Sequence, residues 1–484
     1  MAPRSAARLG RVEPSPDANP LVAAPRAEPA SFVVDVRRAT RRPTRRPAVV
    51  LAVGFLVLIA IGTVVLLLPI SSASGAWTNP ITALFTATSA VCVTGLVVVD
   101  TATYWSPIGQ VAILALLQIG GLGFMTGSTL LLLLVVGRRT ALSDRLMAQE
   151  SAGAPDLGSV GTVLRRVAVF TLVAETIGAL ALTAAFALRF GDVAKGAWYG
   201  LFHAISAFNN AGFDLMGDFR SLSDFASDPF VLVPIGVLIV LGGLGVAIVG
   251  DLVAKRRWTR LALETKLVVA MTVILVVAGL LALLVFEWSN PRTLGALPAA
   301  QRPFNALFES IAFRSAGMTT ISIGGLTGAS LLVAIALMFI GAASGSTGGG
   351  IKLTTFSILL ATIVSTVVGR PHTEAFGRRV PEVVVYRALS VALLSVALVF
   401  VATLLVQVTA GAGDILPIAF ETVSAFGTVG DTTGVTPSLP ETSLLVLVVV
   451  MFVGRLGPLT LVLALSIRAR HVRARPAVET IRIG

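Results

Sequence analysis

Apolar residues in this chain fall in long, nearly unbroken runs, not in the alternating or one-faced patterns of soluble strands and helices. Runs long enough to cross about 30 Å of hydrocarbon as helices occupy 48–70, 107–136, 163–188, 230–250, 265–287, 331–367, 383–409 and 442–467. Between the members of each successive pair lies a shorter, half-apolar segment, at 80–91, 198–208, 303–313 and 414–426, too short to span. The order is helix, short helix, irregular loop, helix, used four times. Such an internal repeat decides the fold. The expectation is an all-α polytopic membrane protein with eight transmembrane helices. Its parts would be repeat 1 at 48–136, repeat 2 at 137–250, repeat 3 at 251–368 and repeat 4 at 369–468, between tails at 1–47 and 469–484.

Composition sharpens this reading. The 484 residues are 55% apolar and 13% charged, which excludes a soluble enzyme because too much apolar surface would stay unburied. A lone cysteine, Cys92, rules out an internal disulfide and a cysteine zinc site, and three scattered histidines argue against a histidine metal site. The net charge of +12 points to membrane orientation and not to nucleic acid. Of the 37 Lys and Arg, 29 lie in the two tails and in the loops near 137–166, 251–266 and 369–387. The opposite loops hold only Arg189, Lys195, Arg220, Arg292 and Arg302. Both termini are therefore expected in the cytoplasm of a multi-pass cell-membrane protein. Residues 1–47, rich in Ala, Pro and Arg, read as a disordered cytoplasmic tail without a signal peptide. Asp192, Asp218, Asp224 and Asp228 fall on the outer side, where an acidic face would concentrate cations near an entrance.

The four short segments align on a glycine: "SAVCVTGL" at Gly95, "SAFNNAGF" at Gly212, "IAFRSAGM" at Gly317 and "SAFGTVGD" at Gly430, spaced by 117, 105 and 113 residues. Ser89, Ser206 and Ser424 recur at one offset, followed by Ala90, Ala207, Ala312 and Ala425. Irregular backbone at membrane depth survives only where it is buried in protein or lines water. Four such loops around one axis would present rings of carbonyl oxygens that replace an ion's hydration shell. Glycine permits the dihedrals this needs, and each short helix would aim its negative C-terminal end at a cation.

These stretches resemble the Trk/Ktr/HKT superfamily of potassium transporters, most of all its Ktr-type membrane subunits. The resemblance rests on "QIGGLGF" (Gln118–Phe124), "FNNAGFD" (Phe208–Asp214), "GSTGGGIK" (Gly345–Lys352), "FGTVG" (Phe426–Gly430) and "GRLGPLT" (Gly454–Thr460), and covers about residues 48–468. It implies four helix–pore-helix–helix repeats arranged pseudo-fourfold around one central pore. The filter would be Val93, Thr94 and Gly95; Asn210, Ala211 and Gly212; Ser315, Ala316 and Gly317; Thr428, Val429 and Gly430. Glycine at 95 resembles the potassium-selective members. Arg314 cannot face the ion path; it would point behind the filter toward Glu309 or Glu421, or snorkel at the outer rim.

"GAASGSTGGGIK" at Gly341–Lys352 is not a phosphate loop, since Ile351 separates Gly350 from Lys352 and Leu353 follows. Its glycines and serines preclude a stable helix, so we read a flexible plug in preference to a mere kink. The resemblance implies an intramembrane gating loop built from Gly341, Ser344, Gly345, Ser346, Gly348, Gly349, Gly350 and Lys352. Arg455 is mid-span, where a buried Arg is costly; the resemblance implies that it faces the permeation path as an electrostatic barrier below the filter, and pairing with an acid is the competing role. Glu175 is also mid-span, and its partner cannot be read from sequence. The function expected is potassium uptake down its electrochemical gradient, with K+ as the transported ion, Na+ as an activator and no covalent cofactor. A secondary transporter of an organic solute is the alternative. No catalytic constellation is present. The implied partners are a second copy of the chain in a homodimer, cytosolic nucleotide-binding regulatory ring subunits and the lipid bilayer.

Overall fold

The computed structural model describes residues 47–137, 160–411 and 413–457. The expected tails, the segment between 137 and 160 and the chain beyond Gly457 lie outside the described residues.

Thirteen helices longer than one turn are described. They are α1 (Pro47–Leu67), α2 (Pro80–Val91), α3 (Pro107–Gly137), α4 (Val160–Phe190), α5 (Val193–Asn209), α6 (Pro229–Lys255), α7 (Leu263–Glu287), α8 (Arg302–Ala312), α9 (Gly328–Phe339), α10 (Leu353–Val367), α11 (Glu382–Ala410), α12 (Ile415–Gly427) and α13 (Glu441–Leu456). The short helices α2, α5, α8 and α12 stand where the half-apolar segments predict them. Their starts are chemically marked. Asn79 Oδ1 accepts from Ile81 N–H (2.8 Å) just ahead of Pro80, and Asp192 Oδ1 accepts from Ala194 N–H (2.8 Å). These bonds satisfy amides that a helix N-terminus leaves open.

Six helices among the described residues are long and apolar enough to cross a membrane: Val49–Leu67, Pro107–Thr126, Arg165–Phe190, Pro229–Lys255, Leu263–Glu287 and Glu382–Ala410. The sequence reading counts eight, and the difference has two sources. The apolar run 331–367 is not one helix, because α9 stops at Phe339 and α10 begins at Leu353, on either side of the glycine-serine stretch. The last run is described only as far as α13 and Gly457, whose φ of +82° ends the helix.

The packing is inside out relative to a soluble protein. α1 turns Val53, Leu56, Val57, Ile61 and Val64 outward, each more than half exposed. The short helices are enclosed instead: Phe85, Ala90, Phe202, Ala207, Phe420 and Ala425 have no exposed surface. An apolar skin around a buried polar centre is what hydrocarbon requires of its solutes. Each short helix also packs against a helix of the preceding group: α5 on α3, α8 on α6, α12 on α9, and α2 on α13. The last contact joins the end of the chain to its beginning.

Buried carboxylates tie the loops to this frame. Glu287, at the end of α7, accepts from Thr293 Oγ1 (2.5 Å), Asn290 Nδ2 (2.6 Å), Thr327 N–H (2.9 Å), Thr327 Oγ1 (2.7 Å) and Ser330 Oγ (2.5 Å). It thus fastens the turn after α7 to the start of α9. Glu287→Ala would leave Thr293 Oγ1, Thr327 N–H and Ser330 Oγ without this acceptor, and we expect a stability loss of about 3 kcal/mol. Thermal unfolding in detergent measures it, and an unchanged midpoint would refute the tie.

Candidate functional site

The loops that follow the four short helices converge. Their aligned glycines all have left-handed φ: +87° at Gly95, +72° at Gly212, +61° at Gly317 and +100° at Gly430. Each glycine also abuts the next loop. A Cβ at Gly95 would collide with the Ala211 carbonyl oxygen, one at Gly212 with that of Ala316, one at Gly317 with that of Val429, and one at Gly430 with that of Thr94. The contacts run from first loop to second, third, fourth and back to the first, so the ring closes. Only glycine meets both demands, the dihedral and the missing side chain. All twelve filter candidates lie in this ring, buried except for half-buried Gly317.

Three of the loops end their helix identically. Val93, Asn210 and Thr428 are left-handed, with φ of 57°, 56° and 49°. Their N–H groups donate to Ala90, Ala207 and Ala425, while the next N–H reaches back to Ser89 (2.7 Å), Ser206 (2.8 Å) and Ser424 (3.0 Å). This double bond pattern closes a helix C-terminus around one left-handed residue. β-Branched Val93 and Thr428 are strained in that conformation, so the surrounding packing must hold them there. The third loop departs. Ile311 stands where the others have serine, Ser315 is not left-handed, and Ala316 N–H instead donates to Ala312 (2.9 Å).

Glu309 and Glu421 fasten the backbone beyond the glycines. Glu309 Oε1 accepts from Thr320 N–H (2.6 Å) and Oγ1 (2.9 Å). Glu421 Oε1 accepts from Thr432 Oγ1 (2.9 Å) and Thr433 N–H (2.7 Å), and its Oε2 from Thr436 Oγ1. These bonds correct the expectation for Arg314. Neither carboxylate pairs with it, its Nε has no partner among the described residues, and it is too buried to snorkel at a rim. Glu175 finds partners that sequence could not name. Gln118 Nε2 and Asn209 Nδ2 donate to its two oxygens at 2.9 and 3.0 Å, tying α3, α4 and α5 together.

Outside the ring lies a vestibule of about 380 Å³, lined by all four glycines and by Asp100, Asp214 and Asp431. These are not the acids the sequence reading named. Asp192 and Asp228 cap helices, and Arg220 pairs with Asp218 (2.5 Å) and Asp224 (3.9 Å). Asp431 is 2% exposed, and neither carboxylate oxygen has a hydrogen-bond partner among the described residues. Burial, and then the Glu421 charge, push its pKa up to about 7.

Inside the ring, residues 340–352 lie beneath the third and fourth loops. Gly348 packs on Ser315 Cβ, Gly349 on the Thr428 side chain and Gly350 on Gly427. The segment is pinned to α6, with Ala343 N–H donating to Gly243 O (3.0 Å) and Thr347 N–H to Gly242 O (3.2 Å). Gly341 N–H donates to Ile351 O (2.9 Å), which closes it on itself. Gly341 and Ser346 are buried, whereas Ser344 and Gly345 are half-buried and Ser344 Oγ meets Thr354 Oγ1 at 2.8 Å. Two cations complete this layer. The Arg455 guanidinium donates to Thr347 O and the Lys352 ammonium to Gly348 O. Both lie over the Phe124 ring, with Arg455 Cζ at 4.5 Å and Lys352 Nζ at 4.9 Å from its centroid, a placement that favours a cation. Arg455 pairs with no acid among the described residues.

Sequence reading missed Phe124 and Thr347, although a signal for this layer was available. "GGLG" at 120–123 recurs as "GGLG" at 242–245 and "GRLG" at 454–457. A Cβ at the first glycine, Gly120, Gly242 or Gly454, would strike the carbonyl of Val91, Phe208 or Phe426 at the end of a short helix. Arg455 replaces the second glycine.

A family model described as "TrkH: Cation transport protein" matches residues 28–471. The Ktr system potassium uptake protein B of Bacillus subtilis is 39% identical, over 87% of this chain and 93% of that protein. The potassium/sodium uptake protein NtpJ of Enterococcus hirae is 38% identical, over 88% of this chain and 94% of that one. The fold is that of the potassium transporter TrkH from Vibrio parahaemolyticus, whose crystal structure superposes with a TM-score of 0.70 at 19% identity, covering 89% of this chain and 87% of that one.

Two glycines separate the causes of the ring's glycine requirement. Gly434 (φ +92°) has open space where a Cβ would go, and Gly430 has the Thr94 carbonyl. Gly434→Ala should cost only the left-handed dihedral, about 1–2 kcal/mol. Gly430→Ala should lower the unfolding midpoint clearly further. Equal losses would mean that loop-to-loop contact is not what demands glycine.

Proposed function

The chain belongs to the TrkH cation-transport family, and on that premise we propose that it takes up potassium through a carbonyl-lined filter at the four-loop ring. The observation that carries this reading is the closed circuit of Gly95, Gly212, Gly317 and Gly430, each against the carbonyl that precedes the next glycine. Four loops so close together force their carbonyls to share one small volume. A potassium ion shed of water finds its replacement ligands there, among residues 93–95, 210–212, 315–317 and 428–430. The C-terminal ends of α2, α5, α8 and α12 add negative potential at the same point.

In this reading, four repeats with the expected boundaries surround one pore pseudo-fourfold, with eight membrane crossings once α9–α10 and α13 are included. Ions enter from the Asp431 vestibule, pass the ring, and meet the segment 340–352 with Arg455 and Lys352 as a gate. A positive charge on the path repels cations, and the carbonyls of Thr347 and Gly348 moderate it. The distribution of Lys and Arg supports cytoplasmic termini. Names of relatives support two further parts of the proposal. "Ktr system" suggests a separate regulatory subunit, here a cytosolic nucleotide-binding ring beneath a homodimer, and "potassium/sodium" suggests Na+ as an activator.

The test is rubidium tracer uptake into potassium-loaded proteoliposomes, with the regulatory subunit supplied. We expect outside K+ to block uptake and Na+ to block it weakly, with Gly95→Ser eroding that preference. Uptake indifferent to both ions would leave the organic-solute transporter as the better account.

The vestibule gives a pH dependence. The Asp431 carboxylate, with its pKa raised to about 7, is ionised above that pH and neutral below it. Negative charge at the mouth is therefore lost as outside pH falls from 8 to 6, and the KM for rubidium should rise several-fold. Asp431→Asn should flatten the profile at the high-KM end. A pH-independent native KM would exclude this role.

A further inference from the structure

We propose that Thr347 is the residue that couples the filter to the barrier beneath it, an inference that rests on the transport reading above. Thr347 is fully buried in the break between α9 and α10. Each of its three polar groups goes to a different part of the molecule. Its N–H donates to Gly242 O of α6 (3.2 Å), and its carbonyl accepts from Arg455 of α13. Its hydroxyl lies 2.8 Å from the Asn210 side-chain amide and 3.3 Å from the Phe208 carbonyl, both at the end of α5. With the amide oxygen turned toward Thr347, that oxygen accepts from the hydroxyl and from Gly243 N–H (3.2 Å), and the amide nitrogen donates to Ile239 O (3.1 Å).

Asn210 is no bystander. It is the left-handed residue that ends α5, two positions before Gly212, so its side chain and the second filter loop move as one. No slack exists around the contact. A Cβ at Gly242 would collide with the Phe208 carbonyl and lie 3.0 Å from Thr347 Oγ1.

The consequence is mechanical. Clearing the path below the ring requires residues 340–352 to move, and Thr347 cannot move without releasing Asn210 and Arg455 together. Release of Asn210 frees the second filter loop. Release of the Thr347 carbonyl leaves the guanidinium without its hydrogen-bond acceptor, so Arg455 must seek another position. Ion occupancy in the filter and the position of the barrier are thereby linked, and each biases the other. Thr347 is a positioning residue, since it need not touch the ion.

The variants Thr347→Val and Thr347→Ser separate the hydroxyl from the shape. Valine keeps the branched outline and loses the bond; serine keeps the bond. In proteoliposomes that carry out selective rubidium uptake with the native protein, Thr347→Val should raise the maximal rate about two- to tenfold, the scale of one net hydrogen bond. It should shift the rubidium KM in the same preparation, while Thr347→Ser stays near native. Native rate and KM for Thr347→Val would overturn the proposal, as would serine and valine behaving alike. Should the valine variant not fold, hydrogen–deuterium exchange of the native protein decides. Coupling predicts that amides in 341–352 exchange at different rates in K+ and in N-methylglucamine, and equal rates refute it. Loss of selective uptake by the native protein would instead indict the transport reading, which keeps the two failures apart.

Discussion

Everything in this molecule answers to one constraint: four stretches of irregular backbone must meet inside a layer that tolerates none. Hydrocarbon offers no partner for a bare amide or carbonyl, so each such group must be satisfied by protein or face an aqueous path. Close approach at Gly95, Gly212, Gly317 and Gly430 concentrates these groups at one place. The remaining architecture holds them there: short helices whose C-terminal turns are buried, long helices with apolar outer faces, and glycines in α3, α6 and α13 that let backbone rest on backbone. Buried carboxylates act at the next remove. Glu309 and Glu421 fasten the chain just beyond the ring, and Glu175 braces α5 from behind.

In the proposed four-unit arrangement the units are not equal, and the differences fall where the proposed gate lies. The third unit gives up its continuous second helix for the segment 340–352, and it alone lacks the serine-anchored helix ending. The fourth unit replaces a glycine of the repeated "GGLG" with Arg455. The first contributes Phe124, whose ring face receives both Arg455 and Lys352. The second contributes Asn210 and the carbonyls of Gly242 and Gly243 that hold the segment in place. In the proposed reading, a gate made from all four units is in a position to sense all four loops.

Much of this was legible in the sequence because the repeat is written in residue types with few alternatives. Apolar runs located the long helices, shorter half-apolar segments between them located the short ones, and the four glycines aligned without gaps in their local strings. The break inside the apolar run 331–367 was legible as well, because the glycine-serine stretch outweighs its apolar flanks, and the chain leaves the helix between Phe339 and Leu353. Pairings, by contrast, failed. Glu175 meets Gln118 and Asn209, which are 57 and 34 residues away, and the acids expected to face Arg314, Glu309 and Glu421, turn to threonines and not to it. Such contacts are set by three-dimensional packing, and one sequence carries no record of them. The vestibule acids were misjudged similarly. An aspartate on the outer side can cap a helix, as Asp192 and Asp228 do, or neutralise an arginine, as Asp218 does, and only position decides.

The central claim is that a dehydrated cation rests among the four glycine loops. Anomalous diffraction from crystals grown in thallium or rubidium locates such an ion directly. The account predicts anomalous peaks on the axis of the ring, within coordination distance of carbonyls of residues 93–95, 210–212, 315–317 and 428–430, and none between Arg455 and Lys352. Peaks confined to the outer vestibule, with an empty ring, would contradict it.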